Sequence, residues 1–384
     1  MVHHKHFPTF PRKNWKADRI PVWIRKNIVL TVAFLAALVT SCIVPLDAEY
    51  RSYFDFKTLT CLFCVLAVVC ALKNIHFFTI LARKIVDCTK NLRITVLALV
   101  YITFIGSMLI ANDMALLTFL PLGYFVLSST GKTKYMAVVF ILQNIAANLG
   151  GMLTPFGNPQ NLFLYTKFSI PTPEFMRIMV IPFLAAIALI TVCCLFFPKT
   201  KLEINEPCAF LLPAKRTAIY LLLFALSIVI VFRLIPYWIG LIVILGALML
   251  LDRDALRRVD YPLLLTFVCF FVFSGNMARI PAVSSFFSML LEKNPLLVST
   301  LACQVISNVP SAILLSQFTS NYQALLLGVN IGGTGTLIAS LASLITFREY
   351  TTHNPGKAGK YLVLFSAFNF GFLIALTVLC SFLV

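Results

Sequence analysis

The sequence predicts an all-α polytopic membrane protein made of two inverted-topology repeats, each with a re-entrant helical hairpin followed by a broken transmembrane helix. Three observations carry that expectation. The 384-residue chain is 60% hydrophobic and only 12% charged, and its apolar runs are long enough to cross a bilayer repeatedly. Its 31 Lys and Arg residues gather mostly in loops that alternate to one side, which is the positive-inside pattern. A glycine-rich apolar segment also occurs twice. Asn148-Leu149-Gly150-Gly151-Met152-Leu153-Thr154-Pro155-Phe156-Gly157-Asn158-Pro159-Gln160-Asn161 returns as Asn330-Ile331-Gly332-Gly333-Thr334-Gly335-Thr336-Leu337-Ile338-Ala339-Ser340-Leu341-Ala342-Ser343.

Residues 1–27 read as a basic cytoplasmic tail, with seven Lys or Arg against the single acid Asp18 in the first 26 positions. Its His3, His4 and His6 read as part of a solvated tail, not a metal site. The net charge of +17 is thereby spent on membrane orientation, and no nucleic-acid partner is expected. The first apolar run lacks a small-residue cleavage site and reads as an anchor.

The first repeat spans 28–197. It has crossings at about 28–46 and 57–72, then a basic amphipathic connector at 73–92 lying on the cytoplasmic face. A hairpin follows at about 93–129, flanked by Lys90 and Arg93 on one side and Lys132 and Lys134 on the other. Basic residues at both ends require the chain to enter and return, turning at Asn112-Asp113. A broken helix at about 135–165 and a crossing at 178–197 complete the unit. Residues 198–234 form a charged loop, with Glu203 and Glu206, and a linking span.

The second repeat spans 235–384. It holds crossings at 235–251 and 261–278, a connector at 281–292 and a hairpin at about 295–320 turning at Ser307-Asn308-Val309-Pro310. A broken helix at about 322–346 and a last crossing at 360–383 follow. Two crossings precede the first hairpin and seven precede the second. The odd difference inverts one unit against the other and places the C-terminus outside.

Eleven cysteines suggest a metal or disulfides, but Cys42, Cys70, Cys193, Cys194, Cys269, Cys303 and Cys380 lie in apolar spans, where Cys acts as a small hydrophobe. Cys61 and Cys64 have zinc spacing without a second pair of ligands. No metal is expected beyond a coupling Na⁺, and no cofactor.

The chemistry concentrates at the breaks and the hairpin tips. Two prolines and a glycine within Pro155–Pro159 preclude a regular helix, and non-helical backbone at membrane depth persists only where it is buried in protein or lines a watery cavity. Paired interrupted helices point to a transporter's binding site. The candidate substrate-binding residues are Asn112, Asn148, Gly150, Gly151, Thr154, Gly157, Asn158, Asn161, Ser307, Asn308, Asn330, Gly332, Gly333, Thr336 and Ser340, with Ser343 at the position matching Asn161. Small-residue helix packing explains a glycine pair equally well; it does not explain the prolines.

Of the fourteen acidic residues, thirteen fall in loops or at span ends, and Asp113 is the exception. A carboxylate inside an apolar hairpin is expensive to ionise, by roughly 2.5–3.5 kcal/mol on insertion scales. It reads as a proton acceptor or cation ligand, or as an N-cap of the second hairpin helix. Asp113, Asn112 and Asn308 are the candidate ion-coupling residues. No basic residue lies mid-membrane, since Arg233 and Arg279 sit at span ends. A small anionic substrate would be held by helix N-termini, amides and hydroxyls.

With these motifs in place the chain resembles the ion transporter superfamily of citrate-transporter-like permeases, divalent anion:sodium symporters and arsenite permeases. Ala111-Asn112-Asp113-Met114-Ala115-Leu116-Leu117-Thr118-Phe119-Leu120-Pro121 resembles the first hairpin tip of arsenite- and citrate-permease-like members. Thr154-Pro155-Phe156-Gly157-Asn158-Pro159-Gln160-Asn161 is similar to the Thr-Pro-x-Gly-x-Pro-x-Asn break, and Ser307-Asn308-Val309-Pro310 to the second tip. Sodium-coupled dicarboxylate members carry Ser-Asn-Thr at both tips; the departures here leave H⁺ and Na⁺ both open. The resemblance implies a scaffold-and-elevator protein, commonly a homodimer, moving a small anion by secondary transport across the cell inner (cytoplasmic) membrane in contact with lipid. A Na⁺/H⁺ antiporter of the same superfamily is the alternative. An intramembrane enzyme acting on lipid phosphate needs clustered acids, His or Cys at one depth, and one buried Asp is too few, so no enzyme activity is expected.

Overall fold

The computed structural model describes residues 27–202 and 212–383; the tail with His3, His4 and His6, and Glu203 and Glu206 of the charged loop, lie outside the described residues. The chain is all-α among those residues, with one isolated bridge between Asn91 and Lys201. In order the helices are α1 (Ile28–Ile43), α2 (Phe56–Asn74), α3 (Phe77–Asp87), α4 (Leu92–Ile110), α5 (Asn112–Ser129), α6 (Met136–Gly150), α7 (Pro159–Lys167), α8 (Thr172–Leu195) and α9 (Ala214–Val231). They continue as α10 (Tyr237–Leu251), α11 (Arg253–Arg257), α12 (Tyr261–Arg279), α13 (Pro281–Lys293), α14 (Pro295–Ile306), α15 (Asn308–Leu315), α16 (Tyr322–Ile331), α17 (Leu341–His353) and α18 (Ala358–Ser381). Among the described residues, seven stretches are long and apolar enough to cross a membrane: α2, α4, Thr133–Leu153 around α6, α8, α9, α12 and α18. This is a polytopic membrane protein.

Polarity is distributed as a bilayer requires. Val32, Phe34, Leu35, Leu38 and Val39 of α1, Leu184 and Val192 of α8, and Val363, Ile374 and Val378 of α18 are exposed. Asn144, Asn148, Asn158, Asn161, Asn330 and Asn369 are buried. A water-facing surface would not carry so continuous an apolar coat; a lipid-facing one must.

Helix starts are set by local chemistry, and the caps recur. Asp55 accepts from Thr58 N to open α2, and Asp260 accepts from Leu263 N to open α12. Asn91 opens α4 through Ile94 N, and Asn294 opens α14 through Leu297 N. Each such cap satisfies a donor that the first helical turn leaves free. The order capped helix, short connector helix, hairpin, interrupted helix, long helix thus runs once from α2 to α8 and again from α12 to α18. Packing between the two series is reciprocal: α1 lies on α12 and α10 on α2, while α5 meets α17 and α15 meets α7.

The hairpin arms differ in length. α4 and α5 have 19 and 18 residues, α14 and α15 only 12 and 8. At 1.5 Å per residue, α6 brings its break about 22 Å along the helix and α16 about 15 Å, so both interruptions fall inside the protein. α8 starts at Thr172, earlier than the sequence reading placed it, because Pro171 and Pro173 at its first turn suit a helix start.

Candidate functional site

Each hairpin turns on a single strained residue. Ala111 has φ 64° and ψ 153°, and Ser307 has φ 74° and ψ 159°, a region that non-glycine residues rarely enter. The asparagine that follows folds back the same way in both: Asn112 Oδ1 accepts from Asp113 N and Asn308 Oδ1 accepts from Val309 N, each at 2.9 Å. The tips are therefore equivalent in geometry and differ in charge, Asp113 standing where the second tip has Val309.

The tips converge. Asn112 Nδ2 donates to Asn148 Oδ1 at 3.1 Å. A Cβ added to Gly333 would stand 3.1 Å from Asn308 Nδ2 and 3.8 Å from Asn148 Oδ1, so Gly333 leaves room for both tips to approach Asn148. Asn308 N and Ser307 Oγ also donate to Ala339 O, at 2.9 and 3.3 Å, pinning the second tip to the second break.

Side-chain amides join the two breaks. Asn158 Nδ2 donates to Asn148 O at 3.3 Å and to Asn330 Oδ1 at 3.4 Å. Asn330 Nδ2 donates to Asn161 Oδ1 at 2.6 Å, and Asn161 Nδ2 reaches Gly151 O, Met152 O and Thr154 O at 3.1–3.3 Å. Thr154 Oγ1 donates to Met108 O and Thr336 Oγ1 to Gln304 O, both at 3.0 Å; each acceptor lies four residues before its tip asparagine. Ser340 Oγ accepts from Ala342 N and caps α17, whereas Asn158, at the start of α7, makes no cap bond and spends its amide on the other break.

The glycines serve close approach. A Cβ on Gly150 would collide with Phe104 O of α4, and one on Gly151 with Asn158 Oδ1. Gly157 lies against Gly151 O, and Gly332 against Cys303.

Asp113 sits in the first turn of α5. Its carboxylate makes no cap bond, and its Oδ1 is buried without a hydrogen-bond partner among the described residues. The N-cap alternative is thus corrected: Ala111 holds that position, and Asn112 supplies the local acceptor. Asn158 Oδ1 is also buried and unpartnered. Arg233 lies away from the centre, where its guanidinium donates to Tyr165 O and stands 4.1 Å over the Tyr165 ring at the end of α7.

Four residues that the motifs did not single out, Asn144, Thr346, Asn369 and Gln304, complete the network. Asn144 Nδ2 donates to Ser343 Oγ at 3.3 Å and Asn369 Oδ1 at 3.4 Å, and Asn144 Oδ1 accepts from Thr346 Oγ1. Gln304 donates to Gly332 O and Thr334 O and accepts from Thr336 N, stitching the second break. Asn144 stands one turn before Asn148 in an apolar helix, a spacing visible in the sequence; Asn369 gives no such signal.

Four helix N-termini, those of α5, α7, α15 and α17, open onto this buried amide cluster. Aligned peptide dipoles there favour an anion, while amide and peptide oxygens suit a small cation.

Comparison with known proteins gives matches of one kind. Residues 20–328 match the family model described as citrate transporter, a stretch holding both tips and the first break. The chain is 34% identical to an uncharacterized transporter of Methanocaldococcus jannaschii over 81% of this chain and 85% of that protein. It is 30% identical to the inner membrane protein YbiR of Escherichia coli over 71% of this chain and 74% of that protein.

Proposed function

The chain belongs to the citrate transporter family and is a multi-pass membrane transporter; from that premise we propose that it moves a small anion, a carboxylate or inorganic oxyanion, by secondary transport coupled to H⁺ or Na⁺. The observation that carries this reading is the buried cluster of Asn112, Asn148, Asn158, Asn161, Asn308 and Asn330 at four helix N-termini. The cluster holds neutral donors and no Lys or Arg, so it can bind an anion without a fixed cation and release it again. Asp113 beside the first tip is the group placed to carry a coupling proton or ligate Na⁺.

The reciprocal packing supports an inverted pair of repeats, 28–197 and 235–384, with α9 as the link. In that arrangement the hairpins and broken helices move as an elevator against a scaffold of the remaining helices, in the cell inner membrane. The chain transports and does not catalyse.

Purified protein in proteoliposomes tests this, with uptake of labelled citrate, succinate, sulfate and arsenite measured while pH and Na⁺ gradients are varied independently. Uptake of one of these anions driven by either gradient is expected. The unpartnered Asp113 Oδ1 favours one second reading, a Na⁺/H⁺ antiporter. Dissipation of a pH gradient by Na⁺ with none of the anions moving would select it.

A further inference from the structure

Away from the amide cluster, a cavity of about 560 Å³ opens where α8 begins, beside α16 and the end of α18. That volume lies within the range of ligand pockets, about 300–1,000 Å³. Its lining includes Glu174 and Arg177 on α8, with Ile178 and Ile181 below them. Opposite charges three apart share one helix face and ordinarily pair. Here they do not. Tyr322 Oη donates to Glu174 Oε1 at 2.6 Å, drawing the carboxylate across to α16, and exposed Arg177 has neither ion pair nor hydrogen bond among the described residues. The cavity therefore presents one cation and one anion held apart.

Ile181 is 43% exposed on the apolar outer surface, so the cavity continues sideways into the lipid-facing coat. Its charges stand in the first two turns of α8, a 24-residue helix long and apolar enough to cross a membrane, and the ends of such a helix lie where headgroups meet the hydrocarbon. We propose that this crevice binds a phosphoethanolamine group, with the phosphate on Arg177, the ammonium on Glu174, and an acyl chain along Ile178 and Ile181 when the group belongs to a phospholipid. A bare anion would face Glu174, and a bare ammonium would face Arg177; a zwitterion satisfies both. The inference needs only the membrane placement of the chain and is independent of what the amide cluster carries.

Native mass spectrometry of the purified protein with equal amounts of phosphatidylethanolamine and phosphatidylglycerol of the same acyl chains provides the test. Wild type is expected to retain the ethanolamine lipid preferentially. Arg177→Gln should lower that retention about tenfold, the scale of a lost charge-assisted hydrogen bond, and Arg177→Lys should keep much of it. Glu174→Gln still accepts from Tyr322 and should remove the preference between the two lipids. Soluble phosphoethanolamine is the second arm: displacement of the lipid at millimolar concentration assigns the site to the headgroup alone, and failure to displace assigns it to the membrane lipid. Equal retention of both lipids by wild type, or wild-type retention by an Arg177→Gln protein of unchanged thermal stability, would overturn the proposal.

Discussion

Asn330 donates through its side-chain amide to Asn161 Oδ1 at 2.6 Å, joining residues 169 apart at the centre of the bundle. The bond ties the two interrupted helices to each other, because Asn161 also gathers three carbonyls of the first break. Replacing Asn330 with Ala orphans a buried acceptor, which costs roughly 1–3 kcal/mol. Thermal unfolding in detergent should show that loss. The double variant with Asn161→Ala should lose less than the two single losses added, since both remove one bond. Strict additivity would mean that the contact contributes nothing.

Gly150 is expected to tolerate no side chain. A Cβ there meets a backbone oxygen, Phe104 O, which cannot swing aside as a side chain can. Gly150→Ala should destabilise by about 1–3 kcal/mol, the usual scale of overpacking, and should open the contact between α4 and α6. Gly246 of α10 has open space around it, so Gly246→Ala should be neutral or stabilising by up to about 1 kcal/mol. Equal melting temperatures for the two variants would contradict this account of Gly150.

Ala111 and Ser307 should both be improved by glycine. A non-glycine residue in their backbone region costs about 1–3 kcal/mol, while the added freedom of glycine in the unfolded chain costs about 0.4–1 kcal/mol. The difference favours Ala111→Gly and, by a smaller margin, Ser307→Gly, which also gives up the hydroxyl bond to Ala339 O, worth about 0.5–1.5 kcal/mol; the reading is a higher melting temperature, more so at Ala111. A lower one in both would show that the surrounding bonds, not the residue, set the conformation.

The sequence displays the breaks because proline and glycine interrupt helices wherever they fall; it displays the first hairpin because charge at both ends forces a return, and the second through the Ser307-Asn308-Val309-Pro310 turn ahead of a matching break. Those are local signals. The partners of Asn144, Asn369 and Gln304 are not local. An asparagine in an apolar helix looks alike whether it faces lipid or another asparagine 225 positions away, as Asn144 and Asn369 do. The repeat alignment did pair Thr154 with Thr336, yet that each reaches the residue four before its tip emerges only from the packing. The inversion proposed for the units rests on a crossing count in the sequence; the fold adds that the two series pack reciprocally on each other.

Asp47 supplies a pH dependence at the loop after α1. Its carboxylate is held below the ordinary value near 3.8, first by the hydrogen bond from Arg279 and also by Glu49 N. Arg279 donates to Asp47 Oδ1 at 3.0 Å and Oδ2 at 2.6 Å. A lowered value means that the folded state prefers the ionised form. The stabilisation is therefore present above about pH 4 and is lost as pH falls through the depressed value. Wild type should melt higher than Asp47→Asn at neutral pH, and the gap should narrow as pH falls below about 4 and through the depressed value. A gap that stays constant as the pH is lowered until the carboxylate is protonated would remove the ion pair as its cause.

Asp113 decides between coupling and structure. Its backbone N–H goes to Asn112 Oδ1, and its own Oδ1 has no hydrogen-bond partner among the described residues. A cap bond would survive substitution by Asn, but the structure has no such bond to preserve. The equivalent place in the second tip holds Val309, so the turn does not need a carboxylate to form. Asp113→Asn keeps the size, cannot titrate and cannot bear charge. If Asp113 carries the coupling proton, pH-driven net uptake into proteoliposomes should stop while substrate binding, followed by thermal shift, persists. If it ligates Na⁺, the apparent sodium affinity should fall at unchanged pH response, because a charged oxygen ligand has been replaced by a neutral one. Uptake with wild-type dependence on both gradients would leave Asp113 without a part in coupling, and the drive would then have to enter through the neutral amides and backbone of the two tips.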